Sequence, residues 1–149
     1  MWLIASEQAM LDFGEDLGKL LRPGDLLFLS GELGAGKTTL TKGIAKGLEI
    51  ETEITSPTFQ LRKTYEGRFI LNHLDLYRLE RPAELAIFEP EVMVEEGVTV
   101  VEWGDLLKSY FPDYLEIAIG YGTVEGSRQL VIEPHGARFD ERLKGLCNA

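Results

Sequence analysis

The chain has 149 residues, which is long enough for one domain with a hydrophobic core. Hydrophobic residues make up 44% of it and charged residues 27%, which is ordinary for a globular protein. The 25 acidic residues outnumber the 15 basic ones and give a formal net charge of −10. This charge argues against broad nucleic-acid binding, because that binding depends on cations that neutralise phosphates. Any RNA is therefore expected to be held by a partner protein.

Localisation is also constrained by the sequence. The single cysteine, Cys147, excludes an intrachain disulfide. No apolar run reaches the length of a membrane-spanning helix. Residues 1–4, MWLI, lack the basic leader of a signal peptide and are soon followed by Glu7. The sequence predicts a cytoplasmic protein with no membrane partner.

The first third of the chain predicts the order helix, strand, helix. Ser6 is a candidate N-cap for a helix that ends near Leu21, before a Pro-Gly pair. The apolar stripe of this helix consists of Met10, Phe13, Leu17 and Leu20. The apolar run 25–30 predicts a buried strand. A second helix is expected from Thr38 onward, with an apolar stripe of Leu40, Ile44 and Leu48.

The remaining two thirds predict further strands and helices. Extended runs joined at Glu66–Gly67 indicate a hairpin, and a β-branched run ending at Glu102 indicates a buried strand. Alternating apolar residues near the end indicate an antiparallel pair, followed by a closing helix. The predicted strands are 59–65, 68–74, 98–101, 115–119 and 130–132, and the predicted helices begin near Pro82 and span 139–146.

Residues 31–39, GELGAGKTT, match the pattern G-x-x-x-x-G-K-[ST] between a predicted strand and a predicted helix. That context is what a P-loop requires. Glycines let backbone N–H groups turn towards a phosphate, and the helix N-terminus adds partial positive charge. Lys37 would reach the β- and γ-phosphates, and the Thr38 hydroxyl would ligate Mg²⁺. The sequence thus predicts one P-loop NTPase-like α/β domain over residues 1–149. Its sheet would be mainly parallel, with antiparallel hairpins and with helices on both faces.

Two carboxylates at predicted strand ends are candidates for the rest of the site. Hydrolysis needs a carboxylate for Mg²⁺ and a group that positions the nucleophile. Ligand sites in open α/β sheets lie beyond the carboxyl ends of strands, where Glu102 and Asp75 are placed. The strand before Asp75 is the poorer one, because Asn72 and His73 interrupt it. His73 is expected to be a partly buried strand residue, and Trp103 a core aromatic.

The loop after the second helix allows two interpretations. Thr55, Ser56 and Thr58 surround a proline. Short hydroxyls there could sense a γ-phosphate, as switch loops do, or could form an ordinary turn. No zinc site is expected, because two histidines and one cysteine stand at unrelated positions.

Four segments in this order resemble the bacterial TsaE (YjeE) family: 30–39, 55–59, 73–79 and 101–103. The resemblance covers nearly the whole chain. That family consists of P-loop ATPases required for the threonylcarbamoyl modification of adenosine 37 in tRNAs that read ANN codons. The resemblance implies that Thr38 and Glu102 hold Mg²⁺, that Asp75 is needed for hydrolysis, and that residues 56–58 form a switch-like loop.

The resemblance further implies a TsaB–TsaD partner complex, with tRNA engaged only through these partners. It places Glu7 near the adenine and Ser127–Arg128 near the nucleotide. The expected ATP-binding residues are Glu7, Gly34, Ala35, Gly36, Lys37, Thr38, Thr39, Ser127 and Arg128, and the expected catalytic residues are Lys37, Asp75 and Glu102. One departure is visible: residues 88–90 are FEP where the family commonly has E-E-Y or a similar run.

Three other function classes are alternatives to slow, partner-stimulated ATP hydrolysis. A small-molecule kinase usually closes an arginine-bearing lid over the phosphates, and no arginine-rich segment is present. A signalling GTPase would need an N-K-x-D motif, and no Asn is followed by Lys. A nucleotide-dependent interaction module with negligible hydrolysis remains open.

Overall fold

The computed structural model describes residues 2–32, 35–55, 62–76, 89–103 and 105–147. Within these ranges the chain forms a seven-stranded mixed sheet flanked by helices. The strands are β1 (Trp2–Ile4), β2 (Leu26–Gly31), β3 (Arg62–Glu66), β4 (Ile70–Asp75), β5 (Gly97–Glu102), β6 (Tyr114–Tyr121) and β7 (Arg128–His135). The helices are α1 (Glu7–Leu20), α2 (Lys37–Gly47), α3 (Pro90–Glu96), α4 (Asp105–Lys108) and α5 (Asp140–Cys147).

The sheet is parallel in the middle and antiparallel at both sides. Its strand order is β1-β7-β6-β2-β5-β4-β3. Strand β2 pairs in parallel with both β5 and β6, and β4 pairs in parallel with β5. Antiparallel pairing joins β3 to β4, β6 to β7 and β1 to β7. This architecture confirms the predicted α/β fold, and it brings the carboxyl ends of β2, β5 and β4 to one edge.

Helices cover the two faces of the sheet in separate apolar layers. One layer packs α1, α2 and α5 against alternate strand residues such as Leu27, Leu29 and Ile117. The other packs α3 and α4 against their neighbours Leu26 and Phe28. No described helix has both the length and the apolar character needed to cross a bilayer.

The first two helices form as predicted. The Ser6 hydroxyl accepts a hydrogen bond from the Ala9 N–H at 3.1 Å, which caps α1. The apolar stripe of α2, Leu40, Ile44 and Leu48, is completely buried. Helix α2 begins at Lys37, one residue earlier than expected.

The hairpin differs from the prediction in its second strand. That strand begins at Ile70, because Arg68 and Phe69 lie in the turn. The Arg68 guanidinium donates to the carbonyl oxygens of Gly18 and Gly47, near the C-terminal ends of α1 and α2. The turn is thereby attached to both helices.

Asn72 does not interrupt β4. It is fully buried, its amide donates to the Met93 carbonyl at 3.1 Å, and its Oδ1 accepts from Arg62 and Thr64. Because these hydrogen bonds satisfy the polar atoms of the Asn72 amide, the amide can be buried without a large free-energy penalty. Asn72 and His73 are therefore both part of the continuous strand β4.

Several sequence predictions fall outside the described residues. These are Gly34, residues 56–58 of the switch-like loop, the start of the first hairpin strand, and the helix near Pro82. Pro90 is described and occupies the first turn of α3, a position that suits proline. Strand β1, which pairs with β7, was not predicted.

Helices α1 and α2 approach each other at four glycines. Gly14 and Gly18 of α1 face Gly43 and Gly47 of α2. A Cβ atom added to Gly18 would lie 2.3 Å from the Ile44 carbonyl oxygen and 3.0 Å from the Gly47 Cα. Since the obstructing atoms are backbone, a side chain at Gly18 would force the helices apart.

We expect Gly18→Ala to lower the free energy of unfolding by about 1–3 kcal/mol, the usual cost of overpacking. Urea denaturation of both proteins measures the difference. Gly145→Ala in α5 is the matched control, because its Cβ would meet only the end of the Leu20 side chain at 3.4 Å. Alanine there gains helix propensity, so the control is expected to be as stable as the parent or more stable. Equal stability of the two variants would show that the glycine contact is not tight.

Candidate functional site

Three predicted site residues meet at the carboxyl edge of the parallel strands. Strands β4 and β5 end at Asp75 and Glu102, which are register partners. The Leu76 N–H donates to the Glu102 carbonyl at 3.0 Å and holds the two strand ends together. Strand β2 is next in the sheet, and the loop after it leads to Lys37 at the start of α2. The sequence therefore identified three residues that the fold brings to one edge.

Lys37 and Glu102 form a buried charge pair. The Lys37 Nζ lies 4.0 Å from the Glu102 Oε1, and their side chains are only 8% and 6% exposed. The other carboxylate oxygen, Oε2, lies 2.9 Å from the Nε2 of His73. His73 is completely buried, so the prediction of a partly buried strand residue was wrong. Its imidazole extends the pair into a triad that sequence reasoning had missed.

Trp103 is not a core residue, contrary to the prediction. Its side chain is 52% exposed, and its ring centroid lies 4.7 Å from the Lys37 Nζ, at cation–π distance. The Trp103 φ of 58° lies in the left-handed region, which is unfavourable for a bulky residue. This backbone turns the chain sharply just after Glu102 and places the indole beside the ammonium group.

The N-terminus of α2 presents backbone donors without a capping side chain. Its N-cap is Gly36, with a φ of 120° that favours glycine. The first N–H groups of any α-helix lack intrahelical acceptors. Thr38 and Thr39 lie in this first turn and are partly buried. Gly31, at the start of the loop, has no room for a Cβ, which would lie 2.5 Å from the Ile119 carbonyl oxygen.

A cavity of about 450 Å³ adjoins this helix start. It lies between the beginning of α1, the loop before α2 and the β6–β7 connection. Its lining residues are Ala5, Ser6, Glu7, Met10, Ala35, Gly36, Thr39, Gly126 and Arg128. Glu7 and Arg128, distant in sequence, thus share a cavity with Ala35 and Gly36 of the loop before α2.

Arg128 is held in place by three contacts, one of which is a hydrogen bond from its Nη1 to the Ser127 carbonyl at 2.9 Å. Its Nε donates to the Ala35 carbonyl at 2.9 Å, and its guanidinium carbon lies 4.5 Å from the centroid of the Tyr121 ring. Its neighbour Ser127 does not line the same cavity. The Ser127 hydroxyl bonds to Val124 within the connection and lines a second cavity of about 270 Å³.

A smaller cavity of about 140 Å³ lies beside Lys37 and Trp103 and extends to Lys108 and Glu116. Lys108 forms a hydrogen-bonded ion pair with Glu116. The hydrogen bond from Lys108 is the main reason that the pKa of the Glu116 carboxyl is lowered. Glu116 also lies near Glu133 and His135, a cluster that the antiparallel register creates and that the sequence did not suggest. The Glu116 carboxylate is paired with the Lys108 ammonium and also lies 3.1 Å from the His135 Nε2.

Comparisons with known proteins agree with this architecture. The family model described as "Threonylcarbamoyl adenosine biosynthesis protein TsaE" matches residues 4–130. The chain belongs to the TsaE family.

Individual relatives cover most of the chain. A Nostoc sp. protein named "tRNA threonylcarbamoyladenosine biosynthesis protein TsaE" is 42% identical over 146 residues, which cover 94% of this chain and 89% of the relative. A Treponema pallidum protein of the same name is 39% identical and covers 85% of this chain and 95% of its own length. The crystal structure of Bacillus subtilis YdiB superposes with a TM-score of 0.82 at 32% identity, covering 99% of this chain and 93% of YdiB. The resemblance seen in the motifs is thus confirmed over the whole fold.

Proposed function

We propose that this chain binds ATP with Mg²⁺ and hydrolyses it to ADP and phosphate. In this proposal it supports threonylcarbamoyladenosine formation at position 37 of tRNA through a TsaB–TsaD complex. The observation that carries the proposal is the buried ammonium of Lys37, the first residue of the uncapped helix α2, paired with Glu102. Lysine side chains are seldom buried unless they are paired with an anionic group, so the buried Lys37 ammonium needs negative charge beside it.

The phosphates would lie at the start of α2. Backbone donors at a helix N-terminus and the partial positive charge of the helix favour an anion there. The Lys37 ammonium adds a full positive charge at the same place. The paired Glu102 carboxylate, only 6% exposed, keeps that ammonium oriented in the absence of ligand.

The base would occupy the 450 Å³ cavity, whose volume lies in the usual range for small-molecule pockets. The Glu7 carboxylate can accept a hydrogen bond from an exocyclic amine such as that of adenine. Arg128 presents a planar guanidinium that its contacts with Ala35 and Tyr121 hold in place. Glu7 and Arg128 line the same cavity as Ala35 and Gly36, which supports this proposal for the base.

The metal would be held by oxygen ligands from Thr38 and Glu102, which suit Mg²⁺. Glu102 fits this role because its carboxylate lies at a strand end, with Oε1 directed towards Lys37. When bound, Mg²⁺ would neutralise charge on the β- and γ-phosphates. Asp75, partly exposed at the neighbouring strand end, would orient the attacking water.

The tRNA role rests on family membership and on charge. The matched family and the relatives above are named for threonylcarbamoyladenosine biosynthesis. With a net charge of −10, this chain is poorly suited to hold tRNA itself. A partner complex would supply that surface.

We expect Lys37→Ala to weaken ATP binding in the presence of Mg²⁺ by at least tenfold, which corresponds to about 1.4 kcal/mol. The variant removes the only full positive charge proposed to contact the phosphates from this helix end. Isothermal titration calorimetry on the isolated chain measures the change. Lys46→Ala is the matched control, because Lys46 lies on the same helix and its side chain is 67% exposed.

Unchanged ATP affinity in Lys37→Ala would contradict the proposed site. Titrations with GTP and phosphate-release assays separate the alternatives. A kinase would transfer phosphate to a second small molecule, whereas an interaction module would bind ATP and release no phosphate. The proposed ATPase is expected to bind ATP in preference to GTP and to release phosphate.

A further inference from the structure

We propose that His73 is a positioning residue for Glu102. Its imidazole fixes one carboxylate oxygen, so that the other is presented to Lys37 and to the metal. This inference rests on the proposed function, because it concerns how the Glu102 carboxylate is held for Mg²⁺.

The geometry divides the two oxygens of Glu102 between different partners. Oε2 lies 2.9 Å from the His73 Nε2, and Oε1 lies 4.0 Å from the Lys37 Nζ. A carboxylate held at one oxygen cannot rotate freely about its terminal torsion. The other oxygen, Oε1, therefore keeps a fixed direction towards Lys37.

The strand register explains how His73 reaches this position. Asp75 and Glu102 are register partners in the parallel pair β4–β5, and His73 precedes Asp75 by two residues. Alternate residues of a strand project to the same face, so all three side chains lie on one face of the sheet. His73 is the inner member of this group and is completely buried, whereas Asp75 is partly exposed at the edge.

The hydrogen-bond chemistry gives His73 a defined tautomer. A carboxylate oxygen only accepts, so the His73 Nε2 donates and carries the hydrogen. The Nδ1 atom has no hydrogen-bond partner among the described residues. Burying a polar ring in a strand is costly unless it is hydrogen-bonded, and an aliphatic side chain like those of Leu71 and Leu74 would avoid that cost. Among the residues that the structure describes, the one polar contact of the ring is made with the proposed metal ligand.

Histidines and carboxylates that orient metal ligands have measurable effects on metal binding. Replacing such a partner typically weakens metal affinity or activity by roughly 10–100-fold. His73 is expected to act on Mg²⁺ in this way and to affect ATP affinity at saturating Mg²⁺ much less. This split distinguishes a positioning role from a role in folding alone.

The matched variants are His73→Gln and His73→Met. Glutamine and methionine have side chains of similar length, but only glutamine ends in a donor that can replace the Nε2–H. We expect His73→Met to raise the Mg²⁺ concentration for half-maximal ATP binding by about tenfold or more. We expect His73→Gln to stay within about threefold of the parent. Calorimetric ATP titrations at a series of Mg²⁺ concentrations measure both.

A second measurement is made on the parent chain and does not depend on how the His73 variants fold. The chain has only two histidines, His73 and His135, so their ring ¹⁵N resonances can be assigned with His135→Gln. The expected result is an Nε2–H tautomer for His73 in the free protein. An Nδ1–H tautomer would overturn the inference.

The outcomes separate the two proposals. Parent-like Mg²⁺ dependence in His73→Met, with normal Mg-ATP binding by the parent, would overturn the role of His73 and leave the proposed function intact. Equal shifts in His73→Gln and His73→Met would also overturn it, since the donor would then be irrelevant. If the parent itself binds no ATP with Mg²⁺, both proposals fail.

Discussion

Asp25→Ala is expected to lower the free energy of unfolding by about 3 kcal/mol, the lower part of the range for breaking a buried ion pair. Asp25 is completely buried at the start of β2, where it pairs with Arg138 and Arg142. Its carboxylate also accepts a hydrogen bond from the Arg22 N–H at 2.7 Å. Removing it would leave two guanidinium groups and one N–H without this acceptor.

The expected loss in the free energy of unfolding is at the lower end of the range because both arginines are partly exposed. The Arg138 side chain is 37% exposed and the Arg142 side chain 14%, so water can partly replace the lost carboxylate. The cluster nevertheless attaches the C-terminal segment to β2, because both arginines lie in or just before α5 and their partner lies at the start of the strand. Loss of Asp25 should therefore loosen α5 as well as β2.

Thermal unfolding followed by circular dichroism measures this effect. A loss of about 3 kcal/mol corresponds to a fall in Tm of roughly 6–12 °C for a chain of this size. Glu141→Ala is the control, because the Glu141–Lys144 ion pair lies on the same helix with side chains 86% and 71% exposed. Exposed pairs contribute little, so the control Tm should differ by no more than a few degrees. Similar Tm values for the two variants would show that the Asp25 cluster does not stabilise the fold.

Local sequence patterns were sufficient for most of the fold. The Ser6 cap of α1, the apolar stripes of α1 and α2, the β-branched strand β5 and the β6–β7 hairpin all depend on residues close in sequence. The meeting of Lys37, Asp75 and Glu102 at one edge of the sheet was predictable for a related reason. A loop motif and two strand ends are local features, and the parallel sheet then brings such ends to one edge.

The remaining site features depend on contacts between distant residues. His73 and Glu102 are 29 residues apart, and Arg128 and Ala35 are 93 residues apart. Periodicity does not show which buried polar side chains will meet, so by periodicity alone His73 interrupts β4. The left-handed backbone of Trp103 is equally hidden, because nothing local marks a bulky residue for that conformation. Glu7 and Arg128 were indicated only by the family resemblance.

Under the proposed function, we expect the isolated chain to hydrolyse ATP slowly and to be strongly stimulated by a TsaB–TsaD pair. Phosphoryl transfer is usually assisted by a cation that stabilises the charge of the transition state. Among the described residues near the helix start, Arg128 contacts Ala35 and Tyr121, and Lys108 is paired with Glu116. Lys37 is the described cation best placed for the phosphates, and it already has Glu102 as a partner. An additional cation from the partner would complete the site.

The expected size of the stimulation follows from the same chemistry. A partner-supplied arginine can raise the rate by roughly 10³ to 10⁵, and we expect at least the lower value. Steady-state phosphate release would be measured for the chain alone, for the pair alone and for the mixture. The Lys37→Ala chain mixed with the pair gives the background that does not depend on this site.

Asp75→Asn tests the proposed role of the second strand end in the stimulated state. The substitution keeps the size of the side chain but removes the charge that would orient the attacking water. We expect it to bind ATP like the parent and to abolish most of the stimulation. Asp16→Asn, an exposed position on α1, is the control and should be stimulated normally. Parent-like hydrolysis by Asp75→Asn in the mixture would show that Asp75 has no catalytic role. Fast hydrolysis by the isolated parent, unchanged by the pair, would instead indicate an independent enzyme with a complete site of its own.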